Sequence, residues 1–310
     1  MERFSVLVIG CGAIAGGYDA DDPTGPNILT HAKAFKTHTA FDLAGCVDLN
    51  LKAAQDFAVL WDVDRAYDSL DQALADRNFD IISLCTSTAS HDSILRQLQA
   101  CDVKLILCEK PITDRLDTAR EIAALYKDRM AVNYLRRFDP KIRQLARHIK
   151  DGIYGKLLSG KAIYNKGLYN NGSHMTDLIH MLAGPVQAIE GGNEISDFWP
   201  DDPTLSARLE TKTGAVIEMI GTDVRDGMTF DLSLEFETAQ IALTDFSHKL
   251  TIHPKEGAKQ TITTDLNRGM YHVASNIYDH LTGGAALCST PENAVPALET
   301  CADIRKLAGL

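Results

Sequence analysis

The chain has 310 residues, of which 45% are hydrophobic, and at roughly 150 residues per domain this length predicts two domains with full cores. Its formal net charge of −11 argues against binding to nucleic acid or to an anionic membrane surface, because both attract clustered Lys and Arg. No apolar run reaches the roughly 18 residues of a membrane span, and the run at 6–9 is too short for a signal-peptide core. We therefore expect a cytoplasmic protein whose partners are small molecules.

The seven cysteines and ten histidines indicate neither disulfides nor a metal site. The cysteines are odd in number, lack C-x-x-C spacing and lie in several cases within apolar, strand-like runs. We expect reduced, buried thiols. No His/Cys cluster has the spacing of metal ligands, so no metal is predicted.

The first part of the chain alternates short apolar runs with segments whose apolar residues recur at helical spacing, such as 69–75 and 90–100. This alternation predicts an α/β domain of the nucleotide-binding Rossmann type, a doubly wound parallel sheet, in residues 1–133. Its predicted strands are 5–9, 42–47, 80–85, 103–108 and 130–133.

A different pattern begins at Asp139-Pro140, a good N-cap followed by a good first helical residue, ahead of an apolar stripe that ends at Gly152. Residues 134–310 are predicted to form an α+β domain with an open, mostly antiparallel sheet and a final helix over 291–310. The predicted strands are 157–164, 205–210, 215–221, 230–236 and 241–243.

The strand predicted at 230–236 alternates apolar with polar residues, so one face of this sheet should be buried and the other polar. The polar face either is solvated or meets another subunit. We expect a homo-oligomer that forms through this C-terminal sheet.

The first strand runs directly into Gly10-Cys11-Gly12-Ala13-Ile14-Ala15, the G-x-G-x-x-A form of the dinucleotide fingerprint. Glycines at these positions allow a tight turn and the close approach of a pyrophosphate to a helix N-terminus. The position of the motif, after a strand at the start of an alternating α/β half, supports this interpretation.

Asp48 ends the second predicted strand, where an acidic residue would hold the hydroxyls of the adenosine ribose. It lies 38 residues after Gly10 instead of the usual spacing of about 20, and a turn-rich insertion at 18–30 accounts for about a dozen of the extra residues. A carboxylate here would repel a 2′-phosphate, which favours NAD over NADP as the cofactor. A turn aspartate without a ligand is the structural alternative.

The apolar run at 105–108 stops at Glu109-Lys110-Pro111. A lysine at the carboxyl end of a parallel strand faces the crevice where ligands sit, and desolvation there can tune it for proton chemistry. The alternative is a lysine in a structural ion pair.

Three more segments stand out beside the fingerprint and Glu109-Lys110-Pro111. They are Cys85-Thr86-Ser87-Thr88-Ala89-Ser90-His91, Arg136-Arg137-Phe138-Asp139-Pro140 and Gly172-Ser173-His174-Met175-Thr176-Asp177-Leu178. Together the five segments resemble the glucose-fructose oxidoreductase and inositol dehydrogenase family, also called Gfo/Idh/MocA, over nearly the whole chain. Glu-Lys-Pro and the downstream histidine are the specific parts of the resemblance, whereas the glycines alone are not.

The resemblance implies a Rossmann domain joined to an α/β domain, and oxidation or reduction of a hydroxyl-bearing carbon of a sugar, polyol or nucleotide-linked sugar. It also implies a set of residues that contact the cofactor. These are Gly10, Gly12, Ala13, Ile14, Asp48, Thr86, His91, Glu109 and Lys110. At 87–88, Ser-Thr replaces the family's common Pro-Asn, so His91 is a candidate for the cofactor side only.

The family's catalytic segment, Asp-x-Gly-x-His followed three residues later by Asp, corresponds here to Asn170, Gly172, His174 and Asp177. The first acid is therefore missing, and Asn170 can donate or accept a hydrogen bond but cannot exchange a proton near neutrality. His174 suits removal of a proton from a substrate hydroxyl. Lys110 would hold the oxygen or act as the acid/base itself, and the sequence leaves both roles open.

Asp177 would share a helix face with His174 if Ser173 starts a helix, and could orient His174 or bind a substrate hydroxyl. A carboxylate that opposes the helix dipole is its structural alternative. His180 is expected to be structural. Lys166, Tyr169 and Asn171 are weaker candidates for substrate contacts in the polar loop before His174.

The leading hypothesis is an NAD(P)-dependent dehydrogenase or reductase acting on CH–OH groups, with Lys110 and His174 at its centre. An NAD-binding sensor or regulator without turnover is a rival, supported by Asn170. A redox-neutral enzyme that recycles tightly held NAD within each turnover is another.

Overall fold

The computed structural model describes residues 3–310, which pack as two units. The first unit extends to Phe138 and takes in Asn267–Ala294 as well. The second comprises Asp139–Leu266 and Val295–Leu310. These units are defined by contacts between residues, whereas the predicted boundary at 133/134 separates parts of the chain that fold independently. That boundary stays a prediction.

The strands are β1 (Phe4–Ile9), β2 (Phe41–Val47), β3 (Ala66–Tyr67), β4 (Ile81–Leu84), β5 (Leu105–Cys108), β6 (Met130–Val132), β7 (Leu157–Tyr164), β8 (Val186–Trp199), β9 (Asp202–Thr211), β10 (Val216–Gly221), β11 (Phe230–Phe236), β12 (Ala239–Thr244), β13 (Lys249–Pro254) and β14 (Gln260–Thr263). The α-helices are α1 (His31–Thr37), α2 (Leu51–Trp61), α3 (Leu70–Asp76), α4 (His91–Leu98), α5 (Leu116–Leu125), α6 (Pro140–Lys150), α7 (Ser173–Ala183), α8 (Gly269–Gly283) and α9 (Pro291–Leu307). No helix within residues 3–310 is long and apolar enough to cross a membrane.

The first unit holds a six-stranded parallel sheet in the order β3-β2-β1-β4-β5-β6. The order reverses direction between β1 and β4, which is the topological switch point where doubly wound sheets bind ligands. The central strands are buried on both faces, as continuous apolar sequence requires, and every residue of β4 and β5 lies in the core. The predicted Rossmann sheet is confirmed.

The second unit holds an eight-stranded sheet in the order β14-β13-β12-β11-β7-β10-β9-β8. Every pair in it is antiparallel except β7 with β10. In β11 the buried residues alternate with half-exposed ones, and Leu232 and Leu234 are about as buried as any core residue. The predicted, mostly antiparallel sheet with one polar face is confirmed.

All ten predicted strands exist, with ends that shift by at most three residues. The helix predicted from Asp139 is α6, where the Asp139 carboxylate accepts from the N–H groups of Lys141 and Ile142. The expectation of buried cysteines holds for Cys46, Cys85, Cys108 and Cys301. It is wrong for the other three, Cys11, Cys101 and Cys288, which are half-exposed, and all seven are free thiols.

Candidate active site

The residues that follow four neighbouring strands of the parallel sheet lie side by side along its carboxyl edge. Each donates its backbone N–H to a carbonyl of the adjacent strand. The bonds run from Gly10 to Val47, from Cys85 to Ile9, from Glu109 to Leu84 and from Asn133 to Cys108. Because neighbouring strands lie about 4.8 Å apart, the edge spans about 14 Å from the end of β2 to the end of β5.

Two glycines of the fingerprint serve different purposes on this edge. Gly10 has φ +87°, and a Cβ there would lie 2.9 Å from the backbone carbon of Cys85 and the backbone nitrogen of Thr86. Only glycine therefore fits between the ends of β1 and β4. A Cβ on Gly12 would meet no atom within 4 Å, so this position leaves open space above the turn for a bound group.

The segment after Gly12 does not continue as a regular α-helix. Gly16 and Gly17 both donate to the Gly12 carbonyl, so the chain forms a single turn, and α1 begins only at His31. His31 then donates its N–H to the carbonyl of Ile14, and Ala32 to that of Ala15. The insertion thus interrupts a helix, and α1 resumes the hydrogen bonding of the first turn.

Asp19 and Lys33 hold the base of this insertion. One carboxylate oxygen of Asp19 accepts from the N–H groups of Leu29 and Thr30 and from the Thr30 hydroxyl, at 2.7–2.9 Å. Lys33 places its ammonium 3.6 Å from the other oxygen and donates to the Asp22 carbonyl. Both side chains of this ion pair are buried, so the two ends of the insertion are fixed to each other.

Asp48 lies at the end of β2 beside the fingerprint, as predicted. Its Oδ2 accepts from the Cys11 N–H at 3.0 Å and its Oδ1 from the Asn50 N–H at 2.9 Å. Each oxygen can accept a second hydrogen bond, so the half-buried carboxylate can also receive ribose hydroxyls.

A cavity of about 620 Å³ opens over this edge, within the range of small-molecule sites. Gly10, Gly12, Asp48 and Thr86 all line it, so the structure brings together four of the predicted cofactor residues. Ala13 is exposed and Ile14 half-buried in the adjacent turn, outside the lining. Sequence reasoning did not assign the remaining lining residues, which come from the ends of β1, β2 and β4 and from positions in or beside α3 and α4. Among them are Leu49, Leu70, Ser87, Ser93, Ile94 and Gln97.

These features fit a dinucleotide. The open space at Gly12 leaves the backbone accessible to a pyrophosphate, and Asp48 supplies acceptors at the distance along the edge where the adenosine ribose would lie. Apolar Leu70 and Ile94 line the same cavity, and such side chains suit a base ring.

Glu109 belongs to a buried polar cluster. Its Oε1 lies 2.8 Å from His31 Nε2 and 2.6 Å from Asn133 Nδ2, and its Oε2 lies 3.3 Å from the Lys110 N–H. Burial by itself raises the pKa of Glu109, but hydrogen bonds from His31 and Asn133 lower it on balance. The carboxylate therefore stays charged, and no sequence motif had indicated His31 as its partner.

His91 lies beneath the Glu-Lys-Pro segment. It is fully buried, with Nδ1 at 3.1 Å from the carbonyls of Pro111 and Ile112 and Nε2 at 3.1 Å from that of Thr86. Both ring nitrogens face backbone, so His91 fixes two loops at the sheet edge. This position does not support the assignment of His91 to direct contact with a cofactor.

In the second unit, His174 is the second residue of α7, which begins at Ser173 as the shared-face argument required. His174 is half-exposed, whereas Asp177, one helical turn later, is 1% exposed. His180 places Nε2 at 2.9 Å from the hydroxyl of Thr300, in agreement with a structural role.

The loop before α7 forms a π-helical turn over Gly167–Gly172. The side-chain amide of Asn170 donates to the Lys166 carbonyl at 3.1 Å. The Asp202 carboxylate accepts from the N–H groups of Tyr169 and Asn170 at 2.8 and 2.9 Å. Asp202 thus anchors the loop that carries the predicted substrate residues, and sequence reasoning missed it because it lies on a hairpin some 30 residues away.

Comparison with known proteins shows that the sequence model of a protein family, described as "Oxidoreductase family, NAD-binding Rossmann fold", matches residues 4–135 of this chain. Inositol 2-dehydrogenase of Rhodococcus jostii (strain RHA1) is 39% identical over 97 residues, which are 29% of this chain and 25% of the relative. Inositol 2-dehydrogenase 1 of Paenarthrobacter aurescens (strain TC1) is 33% identical over 136 residues, 41% of this chain and 39% of the relative. The chain thus aligns with between a quarter and two fifths of the length of these relatives.

Solved structures match over nearly the whole length at low identity, which shows a shared fold. The WlbA dehydrogenase from Bordetella pertussis, in complex with NADH and UDP-GlcNAcA, has a TM-score of 0.84 at 16% identity, with 99% of this chain and 96% of that chain covered. A levoglucosan dehydrogenase, in complex with NADH and levoglucosan, has a TM-score of 0.84 at 13% identity, with 99% and 98% covered.

Proposed function

We propose that the chain is a member of the Gfo/Idh/MocA family of NAD-binding oxidoreductases and acts as an NAD-dependent dehydrogenase or reductase. Its substrate would be a CH–OH carbon of a sugar, a cyclitol or a nucleotide-linked sugar. One observation carries this proposal: the cavity lined by Gly12 and Asp48 lies on the same sheet edge as Glu109-Lys110. A dinucleotide with its adenosine at Asp48 has the length to reach the end of β5, about 14 Å away.

In this proposal Asp48 binds the adenosine ribose, Gly10 allows the tight turn after β1, and Gly12 keeps the backbone accessible to the pyrophosphate. The Asp48 carboxylate selects NAD over NADP, because a 2′-phosphate would add negative charge beside it. Bound NAD supplies the hydride acceptor or donor.

Two side chains then handle the substrate hydroxyl. His174 takes its proton, or returns it in the reverse direction, since an imidazole titrates near neutrality. Lys110 holds the substrate oxygen and stabilises negative charge that develops there, or exchanges the proton itself. Asp177 orients His174 or binds a neighbouring hydroxyl. Asn170 takes the place of the family's acid and contributes a hydrogen bond.

Two sets of similar proteins support a sugar or cyclitol as the substrate. The relatives in sequence are named inositol 2-dehydrogenases, and the structural neighbours were solved in complex with a nucleotide-linked sugar or with levoglucosan. Cyclitols and sugars share a ring that carries several hydroxyls. A panel of inositols, hexoses and UDP-linked sugars therefore covers the proposal.

The test is to replace Lys110 and His174 by Ala. Both variants should bind NADH within about twofold of wild type yet lose turnover by about 10²–10⁴-fold, the usual contribution of a positioned acid or base. Matched controls are Lys52→Ala on exposed α2 and His253→Ala on exposed β13, which should keep wild-type turnover. If both Lys110→Ala and His174→Ala retain activity on the substrate that the wild type turns over, the assignment is wrong.

A second candidate is an NAD-binding sensor without turnover, and the contact of Asn170 favours it. The Asn170 amide is held by the Lys166 carbonyl and offers no exchangeable proton where the family has a carboxyl group. Substrate-dependent reduction of added NAD would exclude this candidate. Cofactor that copurifies with the protein and needs no replenishment during turnover would instead indicate the redox-neutral cycle.

We also propose that copies of the chain associate through the polar face of the second sheet. Lys161, Arg208, Glu218 and Glu235 line one depression on that face and supply charges of both signs. A two-fold contact brings the same patch together with itself, which mixed charges can satisfy. Light scattering should show a dimer or larger assembly that Arg208→Glu weakens. A wild-type protein that is monomeric at micromolar concentration would contradict this.

A further inference from the structure

A fully buried histidine lies directly behind the Glu-Lys-Pro segment. His31 is the first residue of α1 and is 0% exposed. Its Nε2 is 2.8 Å from Glu109 Oε1, and its Nδ1 is 2.7 Å from the Ser83 hydroxyl. In addition, Asn133 Nδ2 lies 3.4 Å from Nε2. Because His31 is fully buried, both ring nitrogens must be satisfied by partners within the protein.

The distances alone allow a neutral ring, with Nε2–H donating to Glu109 and Nδ1 accepting from Ser83, or an imidazolium that donates to both. Burial lowers the pKa of His31, but its interactions with Cys85 and with the Glu109 carboxylate raise it to about 10. The Glu109 carboxylate, 2.8 Å from Nε2, favours the charged form of the ring.

Glu109 also contacts the residue that follows it. Its Oε2 lies 3.3 Å from the backbone N–H of Lys110, so the carboxylate fixes the start of the lysine residue while Oε1 holds His31 and Asn133. An unbalanced negative charge at this point would attract the Lys110 ammonium and favour its charged form. The imidazolium of His31 balances that charge.

The polar and titratable groups around this pair come from every neighbouring element. They are His31 from α1, Ser83 and Cys85 from the end of β4, Cys108 from β5, Lys110 after β5, Asn133 after β6 and the thioether of Met270 from α8. Among these, His31 is the titratable side chain that is hydrogen-bonded to the Glu109 carboxylate.

We propose that His31 is a positioning residue for Lys110: it fixes Glu109 and neutralises its charge, so that Lys110 meets the substrate oxygen in a set orientation and without a competing carboxylate. This inference rests on the proposed function, in which Lys110 contacts the substrate. His31 itself would touch neither substrate nor cofactor.

The test compares His31→Gln with Ser83→Ala. Gln keeps a donor toward Glu109 but carries no charge, whereas Ser83→Ala removes the other hydrogen bond of His31 and leaves the Glu109 pair intact. In His31→Gln the limb of the pH–rate profile that Lys110 governs should move up by about one unit, because an unbalanced carboxylate raises the pKa of the lysine. We expect kcat to fall about 10–100-fold, and the Kd of NADH to change by less than about twofold.

The Ser83→Ala profile should keep the wild-type position. Glu109→Gln removes the carboxylate itself, so the limb that Lys110 governs should lie at or below its wild-type pH. In the double variant His31→Gln/Glu109→Gln, the upward shift seen in His31→Gln should disappear and the limb should return toward its wild-type pH. This return is a rescue that loss of packing would not produce. The Glu109→Gln comparison also keeps the test decisive if His31→Gln folds poorly.

A profile of His31→Gln that superimposes on the wild type would overturn the inference. So would an equal upward shift in Glu109→Gln. If Lys110→Ala retains turnover, the proposed function fails on its own account. If Lys110→Ala abolishes turnover while His31→Gln shifts nothing, only the role of His31 fails.

Discussion

Replacement of Asp48 by Asn should change which dinucleotide the protein binds. The variant keeps the size of the side chain and removes one negative charge from the cavity wall. Asn can still accept one of the two hydrogen bonds that Asp48 receives from Cys11 and Asn50, so the other N–H loses its acceptor. That loss should cost about 1 kcal/mol of folding free energy and leave the protein folded.

The size of the effect follows from Coulomb's law. For a 2′-phosphate held about 5 Å from the carboxylate, each unit charge contributes about 3.3 kcal/mol at an effective dielectric of 20 and about 0.8 kcal/mol at 80. For each unit of charge on the 2′-phosphate, removal of the repulsion should therefore tighten NADPH binding by about 4- to 250-fold. NADH should bind about tenfold more weakly, because a charge-assisted hydrogen bond to its ribose becomes a neutral one.

Fluorescence titration with NADH and NADPH measures both dissociation constants directly. Asp56→Asn, on the exposed side of α2, is the matched control for net charge and should change neither constant. The ratio of the two constants is the quantity that decides. If Asp48→Asn changes the constants for NADH and NADPH by the same factor, Asp48 does not read the ribose and our interpretation of the cavity is wrong.

Three further predictions concern stability and the loop before α7. Gly10→Ala should destabilise the protein by about 1–3 kcal/mol in urea denaturation, because the added Cβ would clash with the backbone of Cys85 and Thr86 and because φ at this position is positive. Gly12→Ala should fold normally but bind NADH more weakly, since its Cβ would enter open space. Equal stability of the two variants would contradict this prediction. The folded-state pKa of His31 is raised from 6.5 to about 10, so the stabilisation by the charged ring is full below pH 6.5 and is lost as the pH rises to about 10. The difference in unfolding free energy between wild type and His31→Gln should therefore shrink by about 2 kcal/mol from pH 6 to pH 8. A difference that stays constant over this range would contradict a charged ring. Asp202→Ala should lower kcat at least tenfold with unchanged NADH affinity in titrations, since two N–H groups of the loop lose their acceptor; a changed NADH affinity would argue against a local effect.

The regular part of the fold was predictable because a strand that is buried on both faces has a continuous apolar sequence, and a strand that is buried on one face alternates apolar with polar residues. The continuous apolar run of β5 and the alternation in β11 are examples. The 14-residue strand β8 was missed because most of its residues are exposed or half-exposed and two glycines interrupt it. The strands β13 and β14, next to and at one edge of the sheet, were missed because their mostly exposed or half-exposed residues carry little apolar periodicity.

The residues of the candidate site likewise divide into those that the sequence predicted and those that it did not. Gly10, Gly12 and Asp48 were predictable because the backbone conformation and the ribose each demand a specific residue type at the end of a strand. His31, Ser83 and Asn133 were not, because a buried hydrogen-bond cluster joins residues that are up to 102 positions apart and none of them follows a local pattern. Long-range polar contacts of this kind become visible only in three dimensions.

The interrupted helix after the fingerprint bears on how such chains can diversify. Because the Asp19–Lys33 pair closes the base and α1 continues the hydrogen bonds of the first turn, the residues between can lengthen, shorten or be exchanged without a change in the strands on either side. The entropic cost of such a change grows only slowly with loop length. A search that fixes the spacing between the glycines and the ribose acid would overlook relatives built in this way, whereas one that treats the segment as an exchangeable cassette would recover them.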